Sequence, residues 1–394
     1  MPRQRDWITS ERPKSFDEII MPKAMKTAMD KYVKSDEWPK ATLITGKFGS
    51  GKTTIAQVMA AYMASRKVES GRLDWDSDPT CLAIKNETWD RDVILLDGTQ
   101  LSADDVRLKI ESFLATPSFR DKRKVIIMDE LQDLSSQAVK ALLKVSESSR
   151  KGYHLIFTAM SKLPKEGGAL ESRCQKWKLP LPTVTEIYTY LGKMCVRLEL
   201  TKEPGVPKEF FGKGLEFISQ NCQYSFREAL NLLEQCFDGM VFTPEEIKSN
   251  FNIVTYEDTL ATVKHLCYGR IDEPEVFDTI VCKDKEDKFN LFYKIIGDAE
   301  VYRVFGRYHM DDEKWKDREL KELSGGPYFD LVRDTYMEIA RLGGTYVKQG
   351  DYLILMSRII DKIKSGSRPR LREEETPQVS KSETKRRRVQ SEGN

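Results

Sequence analysis

Nine residues constrain this chain more than any others: Gly46-Lys47-Phe48-Gly49-Ser50-Gly51-Lys52-Thr53-Thr54, whose first eight match G-x-x-x-x-G-K-[ST] in full. The apolar run "ATLIT" (41–45) before them reads as a buried strand, and "TTIAQVMAAYMASR" (53–66) has helical apolar spacing. Strand, glycine-rich loop and helix are the context in which such a loop wraps phosphates. Gly46, Gly49 and Gly51 let successive backbone N–H groups turn inward, and the helix N-terminus adds a favourable dipole. Lys52 is expected to reach the β- and γ-phosphates and the Thr53 hydroxyl to ligate Mg²⁺, with Ser50 and Thr54 completing the phosphate-binding set. The loop implies a bound nucleoside triphosphate, expected to be ATP; it does not say what the energy is used for.

Three further β-branched runs follow: "DVILLD" (92–97), "KVIIMDE" (124–130) and "YHLIFTA" (153–159), with amphipathic stretches at 102–115 and 135–149 between them. Alternating strands and helices predict an α/β fold, a parallel sheet covered by helices on both faces. From Leu179 the pattern turns helical, with Thr243 placed as an N-cap in "FTPEEIKSNF", and beyond about residue 250 everything reads helical through "LILMSRIIDKI" (353–363). The final stretch, 366–394, has three aliphatic residues and no aromatic, and is expected to be a disordered basic tail.

A chain of 394 residues is too long for one core, so two or three domains are expected. The formal charge is +2, and the tail contributes eight basic and five acidic residues, leaving the body near −1. A near-neutral body argues against indiscriminate coating of nucleic acid; any such contact is expected from a local patch. The seven cysteines form no C-x-x-C pair and there are three histidines, so zinc is not expected and reduced buried thiols are. No apolar run is long enough for a membrane helix, and the N-terminus lacks a signal-peptide core; a cytoplasmic protein with no membrane partner is expected.

The second chemical element is "VIIMDELQDL" (125–134). Asp129, at a strand end, is suited to hold Mg²⁺ together with Thr53, and Glu130 to polarise an attacking water as general base. An acidic pair here is not the rule in small GTPases or P-loop kinases.

Asp129-Glu130 followed by "LSSQAVKALLKVSE" (134–147) resembles the Walker B region of the AAA+ clamp-loader ATPases, and Ser172-Arg173-Cys174 matches that family's SRC signature. "ERPKSFDEII" (11–20) is similar to its R-P-x-x-F box, which brings Arg12 and Pro13 to the nucleotide; "YSFREALNLLEQC" (224–236) is similar to its sensor 2 helix, with Arg227 as the sensor. The likeness extends to the bacterial DNA polymerase III gamma/tau type, including phage-encoded relatives, motif by motif over roughly residues 5–245. The resemblance implies an AAA+ (RecA-like) core over 1–180, a helical lid over 181–248 and a helical collar over 249–365.

It further implies an ATP-driven subunit that opens a sliding clamp and places it on primer-template DNA, in a pentamer with other loader subunits. Catalytic roles then fall to Lys52, Asp129, Glu130 and Arg173, the last acting on a neighbour's nucleotide; the setting is the cytoplasm of a bacterium or a phage-infected cell. Two other readings stand beside this one: a non-hydrolysing structural subunit of the loader, and another AAA+ DNA-processing ATPase such as a branch-migration motor.

The chain departs from the family pattern twice. The family's four-cysteine zinc module is reduced to Cys81 in 66–92, and its sensor 1 position is occupied by Met160, with Thr158 and Ser161 nearby. Lys140 and Lys144 share a helix face and suit DNA-phosphate contact or a solvated face equally. "KRRRV" (385–389) fits a nucleic-acid or localisation patch and a solubilising tail alike.

Overall fold

The structure is a computed structural model, and it describes residues 6–65, 72–89, 91–118, 123–147, 152–160, 163, 167–271, 285–305, 314–342 and 349–365. The tail with its "KRRRV" patch, Ser161 and Cys282 lie outside the described residues. The chain divides into two compact units, Met1–Phe251 and Asn252–Asn394.

The first unit is built on five parallel strands: β1 (Ala41–Thr45), β2 (Val93–Asp97), β3 (Lys124–Asp129), β4 (Tyr153–Ala159) and β5 (Gln175–Lys178), in the order β2-β3-β4-β1-β5. β3 is buried to its penultimate residue and β4 throughout, as expected of strands covered on both faces. Alternation sorts their side chains into two cores: Val125, Ile127 and Ile156 face one layer, Ile126, Met128, Leu155 and Phe157 the other.

Helix α1 (Trp7–Ser10) and α2 (Lys23–Ser35) precede the sheet, and α3 (Lys52–Ala64) follows β1. Residues Ile55–Ala64 of α3 are all buried and, but for Gln57, apolar or aromatic, so the helix lies inside the molecule. α4 (Pro79–Lys85), α5 (Ala103–Ala115), α6 (Ser136–Glu147) and α7 (Gly167–Glu171) complete the sandwich. Ser102 and Asp105 form a capping box that starts α5.

Register places the strand ends together. Thr45 pairs with Ala159 and Asp97 with Asp129, so the segments leaving β1, β3 and β4 emerge along one edge. Ligands of open parallel sheets bind at that edge, beyond the carboxyl ends of the strands.

Four helices follow in the same unit: α8 (Val184–Arg197), α9 (Lys213–Asn221), α10 (Phe226–Gly239) and α11 (Pro244–Asn250). Thr243 does cap α11, in a box with Glu246. Phe210, Phe237 and Phe242 meet edge-to-face in their core, and Trp7 packs on Phe237 with ring centroids 5.9 Å apart. The N-terminal segment is thereby tied to these helices. β5 is the one strand that sequence periodicity does not announce. Its residues "QKWK" lie at the sheet edge with none buried, so they carry neither an apolar run nor a clean alternation.

In the second unit the described residues form helices Tyr256–Cys267, Lys285–Phe305, Lys314–Ser324, Phe329–Leu342 and Gln349–Lys364, around a core that includes Leu266, Phe292, Ile295, Phe329 and Ile359. No strand occurs there among the described residues.

Candidate functional site

The loop after β1 adopts the conformation its glycines permit. Gly49 has φ +70° and Gly51, which caps α3, has φ +92°, both in the left-handed region that L side chains rarely adopt. Gly49 has a second reason to lack a side chain. A Cβ there would lie 1.9 Å from Ser225 Oγ, at the start of α10, and the Gly49 carbonyl accepts the Phe226 N–H at 3.2 Å. The lid helix is thus seated on the phosphate loop through backbone. Gly49→Ala is expected to lower the thermal midpoint by several degrees, corresponding to about 1–3 kcal/mol, and to weaken nucleotide binding; differential scanning fluorimetry with and without nucleotide reads both.

Lys52 is the first residue of α3 and only 4% exposed. Its Nζ donates to the Lys47 carbonyl at 3.1 Å. Burial pushes its pKa below the ordinary lysine value and nearby Arg227 adds to this, while Glu130 and Asp129 act in the opposite direction. Thr53 Oγ1 donates to Asp129 Oδ2 at 2.9 Å, joining the phosphate loop to the end of β3.

The acidic pair is set by β3 and β4. Thr158, fully buried in β4, donates its hydroxyl to Asp129 and accepts the Glu130 N–H at 3.3 Å. Glu130 sits at φ +50°, a left-handed conformation that costs a non-glycine residue about 1–2 kcal/mol. That turn separates the directions of the two carboxylates. Asp129 is bonded to Thr53 and Thr158, whereas Glu130 lines the cavity over the loop. Of the hydroxyls near the sensor 1 position, Thr158 is committed to the acids from behind and does not line that cavity. The Met160 side chain is 41% exposed.

The cavity brings most of the expected residues together. Arg12, Pro13, Gly49, Ser50, Gly51, Lys52, Thr53, Thr54, Glu130 and Arg227 all line it, with Ile19, Tyr190 and Leu230 forming apolar wall. Gly46 packs beneath the loop, where a Cβ would come within 2.8 Å of Ser50 Oγ. Arg12 is held from behind by Gln57 at 2.9 Å and Glu87 at 3.1 Å. The Arg227 guanidinium stacks on the Phe48 ring, 4.7 Å from its centroid, and Phe48 is 52% exposed.

Arg173 is not brought to this cavity. It is exposed beyond α7, where Nη2 donates to Glu147 Oε1 at 2.5 Å and Nη1 to the Ala169 carbonyl at 2.6 Å. Lys140 and Lys144 are exposed on α6.

Three residues of the site carry no motif signal. Phe48 occupies a free position of the loop pattern. Arg197, at the end of α8, reaches Glu11 at 2.8 Å and Glu18 at 3.1 Å, two carboxylates on the cavity wall, and so ties lid to N-terminal segment. Gln132 contacts both Glu130 and the end of β4. Only its nearness in sequence to the acidic pair could have drawn attention to it.

The six described cysteines are free thiols, and five of them are buried. Burial pushes Cys195 and Cys236 up to about 12, so these are protonated packing residues. Among the described residues no group of three or more His, Cys, Asp or Glu is placed to hold a metal ion.

A parallel sheet in this order, a phosphate loop after β1, an acidic pair after β3 and a helical lid seated on the loop define an AAA+ ATPase fold. Sequence comparison narrows the class. The family described as "DNA polymerase III, delta subunit" matches residues 21–183. The DNA polymerase III subunit gamma/tau of Mycoplasma genitalium is 25% identical over 273 residues, covering 66% of this chain and 42% of that protein. The DNA polymerase III subunit gamma of Buchnera aphidicola subsp. Schizaphis graminum is 29% identical over 226 residues, covering 57% and 58%. Among solved structures, the RuvB Holliday junction branch migration motor of Thermotoga maritima aligns with TM-score 0.44 at 17% identity, over 65% of this chain and 78% of that one. The sequence matches bear out the resemblance to the clamp-loader AAA+ proteins, at modest identity. The chain spans about half the length of these two relatives.

Proposed function

We propose that this chain is an ATP-hydrolysing motor subunit of a sliding-clamp loader. The observation that carries the reading is the Thr53 hydroxyl 2.9 Å from Asp129, with Lys52 and Glu130 on the same cavity. A purely structural subunit has no need to keep all four in register, which weighs against the non-hydrolysing alternative. A branch-migration motor has less support still: that reading calls for a C-terminal module with strands, and the described residues of the second unit form helices only.

The chain's own groups divide the work as follows. Backbone N–H groups of the loop and the Lys52 ammonium take the phosphates. Oxygen donors Thr53 and Asp129 fit a Mg²⁺ ion, which when bound neutralises charge on the β- and γ-phosphates. Glu130 accepts a proton from water as the water oxygen bonds to the γ-phosphorus and the bond to the bridging oxygen breaks, giving ADP and phosphate. Pro13, Ile19, Tyr190 and Leu230 offer an apolar wall for the base. Arg227 leaves the Phe48 ring for the phosphates, drawing lid to core. Arg173 completes the site of an adjacent subunit.

The same reading makes Lys140 and Lys144 contacts to DNA phosphates, assigns 249–365 to a collar that joins subunits into a pentamer, and sets the protein in the cytoplasm. Its partners are the clamp, primer-template DNA and other loader subunits. The test is steady-state ATP turnover of the purified chain with its co-purifying partners, with and without clamp and primed template. Stimulation by both together is expected; silence in every mixture overturns the motor assignment.

Lys52 supplies a second check. Its lowered pKa means that the free site holds less than a full proton there as pH rises toward the ordinary lysine range, and a bound triphosphate restores it. Nucleotide binding at alkaline pH is therefore expected to take up protons, and affinity to fall as pH rises. Calorimetry in buffers of differing ionisation enthalpy measures the uptake, which Lys52→Arg should abolish because arginine stays charged.

A further inference from the structure

Gln132 lies two residues beyond the acidic pair, in a tight turn over Leu131–Asp133. Its Nε2 donates to Glu130 Oε2 at 2.5 Å and to Asp133 Oδ2 at 3.1 Å, and its Oε1 accepts the Met160 N–H at 3.0 Å. The amide can face only one way. A backbone N–H donates and carboxylates accept, so reversing the side chain would set like groups against each other at both ends.

We propose that Gln132 is a positioning residue for ATP hydrolysis, holding the Glu130 carboxylate at the cavity and coupling it to the end of β4. This rests on the hydrolytic reading above. Glu130 projects from a left-handed turn, and its side chain has three rotatable bonds that β3 does not restrain. A short hydrogen bond to its Oε2 selects one arrangement, and a general base must be held in defined reach of its water to act. Anchoring the far end of the amide on the Met160 N–H keeps Gln132 itself from turning away. The need arises at this position because β4 ends at Ala159 and the next side chain is a partly exposed methionine. Met160 has no polar group to set against the nucleotide or Glu130, and Thr158 is committed to Asp129 behind the sheet edge. The main chain at the end of β4 therefore communicates with the acid through Gln132.

The experiment measures kcat and the dissociation constant of a fluorescent ATP analogue for the full chain with its partners, clamp and primed template. Gln132→Leu is expected to lower kcat about ten- to a hundredfold, with the dissociation constant within about twofold of the parent, since only the geometry of the base is disturbed. Adding Met160→Asn, which brings a polar side chain back to the end of β4, should recover part of the loss. If Gln132→Leu folds poorly, Gln132→Asn, too short to span both partners, should show the same separation of kcat from binding.

An unchanged or raised kcat overturns the proposal, as does a loss matched by equal weakening of nucleotide binding. Absence of any recovery in the double variant removes the link to β4. Glu130→Gln separates the two levels. If it still turns over ATP at the parental rate, Glu130 is not the base, and the positioning role of Gln132 falls with that assignment. If it is inactive while Gln132→Leu is normal, only the role of Gln132 falls.

Discussion

Arg173→Ala is expected to lower clamp- and DNA-stimulated ATP turnover of the proposed assembly by about 10³-fold or more, the scale associated with removing an arginine that stabilises phosphoryl-transfer charge from a neighbouring subunit. The expectation comes from where the residue sits. Its guanidinium is absent from the walls of the chain's own nucleotide cavity and is exposed. It is also oriented, with one nitrogen on the Ala169 carbonyl and another on Glu147. An exposed ion pair of this kind contributes at most about 1 kcal/mol to stability, so structural necessity is a poor account of it. A pre-aimed fork that a γ-phosphate can recruit accounts for it better. The isolated subunit should bind nucleotide normally, because no cavity group has changed. Mixing the variant with parental subunits should poison neighbouring sites in proportion to its share. Full turnover by the variant assembly would leave the shared-site arrangement without support.

Glu130→Gln is expected to reduce kcat by about 10²–10⁴-fold, the usual contribution of a positioned general base, with nucleotide affinity near the parental value. The substitution preserves shape and the N–H contact to Thr158, and removes the proton acceptor. Gln132 then faces an amide, which can still accept its hydrogen bond through oxygen. The variant should therefore accumulate in the triphosphate-bound form and hold its clamp, a state that size-exclusion chromatography with clamp and ATP detects. Lys52→Ala contrasts with it. Loss of the buried ammonium at the phosphates should abolish binding itself, so the two variants divide affinity from chemistry. If Glu130→Gln hydrolyses at the parental rate, another group serves as base.

Much of the site was legible in sequence because its chemistry is local. Gly49, Gly51, Lys52 and Thr53 act through backbone conformation and one helix start, so a short pattern specifies them. β1 to β4 were legible because a strand buried on both faces must be a run of apolar residues. The Arg12–Pro13 box and Arg227 could be assigned to the nucleotide only through resemblance, and the fold does bring both to the cavity wall. β5 escaped because a four-residue edge strand with a single apolar side chain, the partly buried Trp177, gives neither an apolar run nor an alternation. Met160, just past the end of β4, left the sensor position open, and the side chain that meets its N–H, Gln132, comes from a different segment. No periodicity relates Gln132 to residue 160.

The amino-acid sequence alone determined the first four strands and their alternation with helices, the phosphate loop, the acidic pair and the switch from a mixed to a helical region. These follow from side-chain hydrophobicity and backbone freedom acting over a few residues. Only the tertiary structure decided that Asp129 joins Thr53 while Glu130 turns toward the cavity, that Arg227 rests on Phe48, that Arg173 is held by Glu147 and Ala169 off the walls of that cavity, and that Gln132 bridges two strand ends. Such pairings join residues up to 179 positions apart, as Arg227 and Phe48 are. They are selected by how sheet and lid pack, a sum over many weak long-range contacts that no local stretch of chain encodes.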